Sequence, residues 1–503
     1  MYNNNNVSIK KYNYYLYIVF YCVMTFTITI NVTNADIVFP AHVSNDMVLN
    51  HNNPVIPGYG VADTVITVSV NGWEYPSRKT IVSDCHQSGY LTQCPFKIIL
   101  PPMEPSYREN TIEIFENGKR KHKFERILFG KVFLCSGQSN MEFSVNQLVN
   151  AEEEIEDSSN YPHMRLFQIP RTYYSIPQIS AKSVYENGWT TSNPKALRGD
   201  GNFSYFSAVC YTFGRNLYEK YRNDEMQVPI GLLASAYGGT PLQAWSTPNA
   251  LQACPYAKDI NDGAIQDPAT FKSVTYNGMI HPLKNFSFNS IIWYQGEYEG
   301  EDNLYQQYKC QFPAMVNDWR KNVFEDLHLP FVFVGLAPGN PGYTLLRNAQ
   351  KSILGMKNTG YVDAFDLGDI HTPWANHPRR KNDVGKRLAL VIHDLLLSEK
   401  MPEQQKSSSD NDDIIVTTKP DEELSFERPI LKSASMPSLK NNIIRLTFDQ
   451  SELTINETPT YGDVNFNSTK LPPCKNNQGP FEIKMNGKWE FIDSKIDGSD
   501  GNV

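Results

Sequence analysis

Four short stretches of the chain carry residue types that could cooperate in acyl transfer. The first is Lys131-Val132-Phe133-Leu134-Cys135-Ser136-Gly137-Gln138-Ser139-Asn140-Met141. It begins like a buried strand, rich in β-branched and aromatic residues, and breaks at Ser136-Gly137 into small polar residues. A serine just past the C-terminal end of a buried strand is where an open α/β sheet presents reactive groups. Ser139 stands there, and Gly137 permits a tight turn. A serine hydroxyl is a weak nucleophile until a base takes its proton, and the tetrahedral oxyanion that follows needs fixed donors. The rest of the chain must therefore supply a base, a group to orient it, and an oxyanion hole.

The other three stretches offer those parts. In Gly231-Leu-Leu-Ala-Ser235-Ala-Tyr-Gly238-Gly239-Thr240 a strand runs into a Gly-Gly pair. Without Cβ atoms, backbone N–H groups there can approach a ligand oxygen. Ile291-Ile292-Trp293-Tyr294-Gln295-Gly296-Glu297 is an apolar strand that delivers an amide and a carboxylate to its end. The Gln295 amide is a candidate oxyanion donor. In Asp366-Leu-Gly-Asp369-Ile-His371-Thr-Pro-Trp-Ala-Asn376-His377-Pro378-Arg379-Arg380, His377 directly precedes a helix whose first turn Pro378 can begin. An imidazole at that place suits a general base. His371 is its rival, and Asp366 and Asp369 are near enough in sequence to orient either one.

These stretches must be held by a scaffold of strands alternating with helices. Strands are expected at 131–135, Met164–Ile169, Val228–Ser235, Ser290–Gln295, Phe331–Leu336 and Tyr361–Phe365, with helices near 206–222, 305–324, 344–357 and 379–397. That alternation predicts an α/β fold with a parallel sheet flanked by helices, over residues 129–397. Residues 36–128 read instead as short strands punctuated by Asn71-Gly72, Asn117-Gly118 and prolines, the pattern of a β-sandwich or jelly roll. Residues 398–427 form a polar linker or loop, and 428–503 a C-terminal β region.

At 503 residues several domains are expected, and a formal charge of −8 argues against nucleic acid as the main partner. Residues 1–35 have the form of a signal peptide. Lys10 and Lys11 precede the uncharged run Tyr12–Ile30, and the small residues Thr33-Asn34-Ala35 make Asp36 the expected mature start. No stable membrane span is expected once it is cleaved. The sequons at Asn202, Asn285, Asn456 and Asn467 agree with a secreted or lysosomal glycoprotein. Seven cysteines follow the leader. A Cys85–Cys94 hairpin staple is the first expectation and Cys254–Cys310 the second. Cys135, inside the buried strand, is expected to be a reduced core thiol. No Cys/His spacing suits zinc, so no metal and no cofactor are expected.

Together the motifs Cys135-Ser-Gly-Gln-Ser-Asn-Met141, Tyr237-Gly-Gly-Thr-Pro-Leu-Gln-Ala-Trp245, Trp293-Tyr-Gln-Gly-Glu297 and His377-Pro-Arg-Arg-Lys-Asn-Asp-Val-Gly-Lys-Arg-Leu-Ala389 resemble those of the sialate O-acetylesterases, members of the SGNH hydrolases. The resemblance runs from about residue 40 to about residue 396. It implies that Ser139 is the nucleophile and His377 the base. It also implies that the Ser139 and Gly239 N–H groups, with the Gln295 amide, form the oxyanion hole. One departure stands out. Many SGNH enzymes carry Asp three residues before the base, whereas this chain has Trp374. The orienting group is then Asp366, Asp369 or a backbone carbonyl. The implied substrates are O-acetylated sialic acids or sialoglycans. The alternatives are an acetylesterase on other sugars and a glycan-binding protein without turnover.

Overall fold

The computed structural model describes residues 37–61, 64–75, 86–88, 91–199, 201–254, 267–302, 304–340, 342–369 and 376–398, together with short strands beyond residue 430. The expected leader, the polar stretch after residue 398, His371, Cys85, Asn456 and Asn467 lie outside the described residues.

The β region comprises β1 (Val48–Asn50), β2 (Val55–Gly60), β3 (Ile66–Val70), β4 (Trp73–Tyr75), β5 (His86–Ser88), β6 (Leu91–Ile99), β7 (Ser106–Glu116) and the first part of β8 (Lys119–Gly137). Both Asn-Gly pairs make two-residue hairpins with positive φ, 52° and 81° at Asn71 and Gly72, and 49° and 79° at Asn117 and Gly118. That is the turn geometry whose twist matches the flanking strands. Strands β2, β6 and β5 form one sheet, and β4, β3, β7 and β8 follow one another in a second. Ile56, Phe96 and Ile98 of the first sheet and Val68, Ile112, Ile114 and Phe124 of the second are all buried. Phe39 meets Phe96 and Phe124 edge-on, with ring centroids 5.8 and 5.2 Å away.

Strand β8 does not stop at the β region. Its C-terminal half is the middle of a second, largely parallel array in the order β10–β9–β11–β8–β12–β13–β14. The further strands are β9 (Met164–Gln168), β10 (Thr190–Thr191), β11 (Ile230–Ala236), β12 (Ser290–Tyr294), β13 (Phe331–Gly335) and β14 (Thr359–Asp363). Only β10 runs antiparallel in this array. The helices Ala208–Asn223, Tyr305–Asp318, Gly342–Gln350 and Lys381–Ser398 alternate with these strands as expected. In chain order the sheet grows on one side of β8 through β9 and β11, then on the other through β12 to β14. That reversal at β8 is where an open α/β sheet leaves a crevice. Val132, Phe133 and Leu134 of β8 are fully buried. Each such apolar side chain contributes roughly 1.5–3 kcal/mol by leaving water.

One expectation about this strand is corrected. Cys135 is not a reduced thiol; it is disulfide-bonded to Cys210 on the helix Ala208–Asn223. The helix packs on β11 and β9, and its first turn reaches β8, which brings the two Cα atoms within 5.8 Å, inside the range a disulfide accepts. Cys254–Cys310 is formed as expected, and Cys94 is also disulfide-bonded. The Cys135–Cys210 bridge closes a separation of 75 residues. We expect its removal in a Cys135→Ala/Cys210→Ala variant to cost about 4 kcal/mol of stability through the freer unfolded chain. Denaturant unfolding would check this, and an unchanged midpoint would contradict it.

Candidate active site

Three loops leave the sheet at one level. Residue pairing sets Ala236 of β11 beside Gly137 of β8, and Tyr294 of β12 beside the same Gly137. The next residues along are therefore Tyr237–Gly239, Gln138–Ser139 and Gln295–Glu297. Gly137 has φ 142°, and a Cβ there would lie 2.1 Å from the Tyr294 carbonyl oxygen. Only glycine fits this corner. Gln138 then donates its N–H to Tyr294 O at 3.0 Å, and Ser139 opens the short helix Ser139–Glu142.

The fourth loop brings His377, the expected base. His377 Nε2 lies 2.7 Å from Ser139 Oγ, the geometry in which the hydroxyl donates to a neutral imidazole. The helix that follows, Lys381–Ser398, packs closely on Ala208–Asn223. A Cβ on Gly385 would fall 2.2 Å from Thr212 Oγ1, and Thr212 Oγ1 donates to Lys381 O at 3.2 Å. Ser207, which caps the other helix at Cys210 N, also donates to Met141 O. Both catalytic loops are thus pinned to the same pair of helices.

Burial, reinforced by the charge of Lys381, depresses the His377 imidazole to about 4. A base works in its unprotonated form, so a lowered value extends activity toward acid. We expect the acid limb of kcat/KM to fall well below pH 6.5, near 4. A pH–rate profile checks this, and an inflection at 6.5 or above would contradict it.

The orienting carboxylates go elsewhere. Asp366 accepts two bonds from the Arg387 guanidinium, at 2.7 and 2.5 Å, and its side chain is 56% exposed. Asp369 accepts from the Arg379 backbone N–H at 3.1 Å and from its Nε at 2.8 Å. Among the described residues no hydrogen bond joins either carboxylate to His377. Asp369 instead fixes the turn that carries it. Gln295 also departs from its expected role. It is fully buried, and its amide donates to Glu299 Oε2 at 2.6 Å and Thr240 O at 3.3 Å. It braces the turn after β11 and is not a free donor to an acyl oxygen. Two of the expected donors are backbone groups beside the serine. The Ser139 and Gly239 N–H groups make no hydrogen bond among the described residues, and Gly239 is exposed with φ 72°. A Cβ on Gly238 would lie 3.1 Å from Ser139 Cβ, so this turn abuts the serine.

A layer of buried polar residues behind the site went unassigned from sequence. Asn140 donates to Glu297 Oε1 at 2.5 Å and to Asn376 O at 2.7 Å, and accepts from Lys381 Nζ. It therefore ties the residue after Ser139 to the residue before His377. Lys381 is fully buried between the Phe143 and Tyr294 rings, 5.2 and 5.1 Å from their centroids. Burial pushes Lys381 down and Glu297 up, each to about 7. Glu142 accepts from Gly238 N at 2.8 Å, and Glu299 accepts from Leu242 N. Three buried carboxylates, Glu142, Glu297 and Glu299, thus each hold one flank of the site.

With a serine, a neutral imidazole and two free N–H groups at one strand edge, the comparisons decide the family. Residues 129–393 match the family model described as carbohydrate esterase, sialic acid-specific acetylesterase. The chain belongs to this family. It is 34% identical to the sialate O-acetylesterase of Homo sapiens over 397 residues, 72% of this chain and 71% of that one. Identity to the Pongo abelii enzyme is 33% over 391 residues, with the same two shares, 72% and 71%. Identity to the Rattus norvegicus enzyme is 30%, covering 82% of this chain and 79% of the relative. A solved carbohydrate acetylesterase from Xanthomonas citri shares the fold, with TM-score 0.60 and 24% identity, covering 82% of this chain and 81% of that one. The fold is thus the mixed α/β architecture expected, and the chain is an esterase.

Proposed function

We propose that this esterase removes O-acetyl groups from sialic acids by double displacement at Ser139. The observation that carries the chemistry is the 2.7 Å approach of His377 Nε2 to Ser139 Oγ at the edge of β8. His377 takes the hydroxyl proton as Oγ attacks the acetyl carbonyl carbon. The Ser139 and Gly239 N–H groups receive the oxyanion. His377 then returns the proton to the departing sugar oxygen, leaving acetyl-Ser139. Water, deprotonated by His377, attacks that ester; the Oγ–acetyl bond breaks, His377 returns the proton to Ser139 Oγ, and acetate leaves. The family supports sialic acid as the substrate class.

Acetate release from 9-O-acetyl-sialic acid, acetylated xylan and an aryl acetate tests the substrate. The sialate should be turned over with the highest kcat/KM. Activity on xylan alone would move the substrate class. Binding of the acetylated sugar without release would favour a glycan-binding protein. Entry into the secretory pathway belongs to the same reading. It is supported by the Cys135–Cys210 and Cys254–Cys310 disulfides and by the exposed position of Asn202. Asn285 is half-buried in a turn with φ 67°.

A further inference from the structure

Arg171 lies just outside the turn that carries Gly239. Its Nε and Nη2 fork onto the two oxygens of Glu142, with Nη2 2.9 Å from Oε2. The guanidinium carbon sits 5.5 Å from the centroid of the Tyr237 ring. Glu142 is buried, yet the Arg171 side chain is 48% exposed. One edge of the guanidinium is therefore held and the other faces solvent. Two contacts separate it from the nucleophile: Glu142 accepts from Gly238 N, and Gly238 abuts Ser139. Tyr237 is half-buried, and Tyr173 beside it is 43% exposed. The acyl-transfer steps use neither edge of this group; the braced one only steadies Glu142. The exposed edge is left without a role.

A sialic acid carries a carboxylate that neutral acetylated sugars lack, on the opposite side of the ring from its glyceryl chain. A guanidinium already fixed by one carboxylate and an aromatic face keeps further N–H donors for a second. It also loses little freedom on binding, because Glu142 holds it in place. The acidic neighbour on the same side, Asp267, accepts from Ala269 N at 2.9 Å and caps the turn that follows it.

Building on the sialate reading, we propose that Arg171 recognises the substrate carboxylate and is a specificity-determining residue of this esterase. The test compares acetate release from 9-O-acetyl-sialic acid and from its C1 methyl ester, which hides the charge. Wild type and Arg171→Gln are measured beside an aryl acetate. Wild type should favour the free acid by roughly ten- to a hundred-fold in kcat/KM, the scale of a hydrogen bond to a charged group. In Arg171→Gln that preference should fall toward one, with the loss in KM. A preference that survives the substitution, or is missing in wild type, overturns the assignment. Equal loss on all three substrates also overturns it, because Arg171 then only supports Glu142. Should Arg171→Gln fail to fold, Arg171→Lys keeps the charge without the fork and should show a reduced preference. An unchanged one overturns the assignment. Wild type that cleaves the aryl acetate but neither sialate fails the substrate reading itself, which is a separate outcome.

Discussion

Replacing Ser139 by Ala should lower kcat for acetate release by about 10⁴- to 10⁶-fold while the acetylated sugar still binds. The size follows from the geometry. Ser139 is the hydroxyl that faces His377, at 2.7 Å. The hydroxyl of its neighbour Ser136 is buried at the strand end and makes no hydrogen bond among the described residues. A residual rate is expected, because the Gly239 N–H and the bound geometry still act on a water molecule. Wild type quenched during turnover should carry an acetyl group on the peptide that contains Ser139, and the variant should not. Unchanged hydrolysis by Ser139→Ala would sink the nucleophile assignment.

His377→Ala should be nearly as severe, again about 10⁴- to 10⁶-fold in kcat, and not additive with Ser139→Ala. In the proposed mechanism the imidazole both activates the hydroxyl and delivers the leaving-group proton, so its loss should disable acylation and deacylation together. The double variant should be no slower than either single one. Added imidazole should restore part of the rate in His377→Ala and none in Ser139→Ala. The imidazole is packed edge-on against Phe203, with centroids 5.6 Å apart, and its deletion leaves a cavity of suitable shape. A His377→Ala enzyme that retains wild-type kcat would exclude the imidazole as base.

Much of this was legible in the sequence because strand ends announce themselves. The apolar runs before Ser139 and Gln295 are unbroken and stop at a polar residue, while the one before Gly239 is interrupted by Ser235 and ends at a Gly-Gly pair. His377 was legible because His-Pro leads toward the last helix, although that helix starts at Lys381 and not at Pro378. What could not be read was pairing across long separations. Asn140 meets Lys381 and Glu297 only because β8, β12 and the last helix converge, and their spacing in sequence carries no periodic signal. Cys135 looked like a core thiol because the strand around it is apolar. Its partner rides on a helix whose first turn reaches β8. Gln295 ends the right strand, but whether a buried amide points forward to a ligand or back to Glu299 depends on side chains 4 residues along and beyond. Asp366 and Asp369 were close to His377 in sequence, yet arginines downstream claim both.

Strand β8 has a consequence for how the chain is made. Its first half pairs with β7, which is already synthesised, but its second half borders β12. Val132 reaches Asn289 across 157 residues. On the ribosome, the β region can therefore close while Val132, Phe133 and Leu134 still lack neighbours on both sides. Such an unpaired apolar edge, waiting for distant partners, is the form of a folding intermediate prone to association. The residues that lead directly into Ser139 are thus the last of β8 to gain their neighbours.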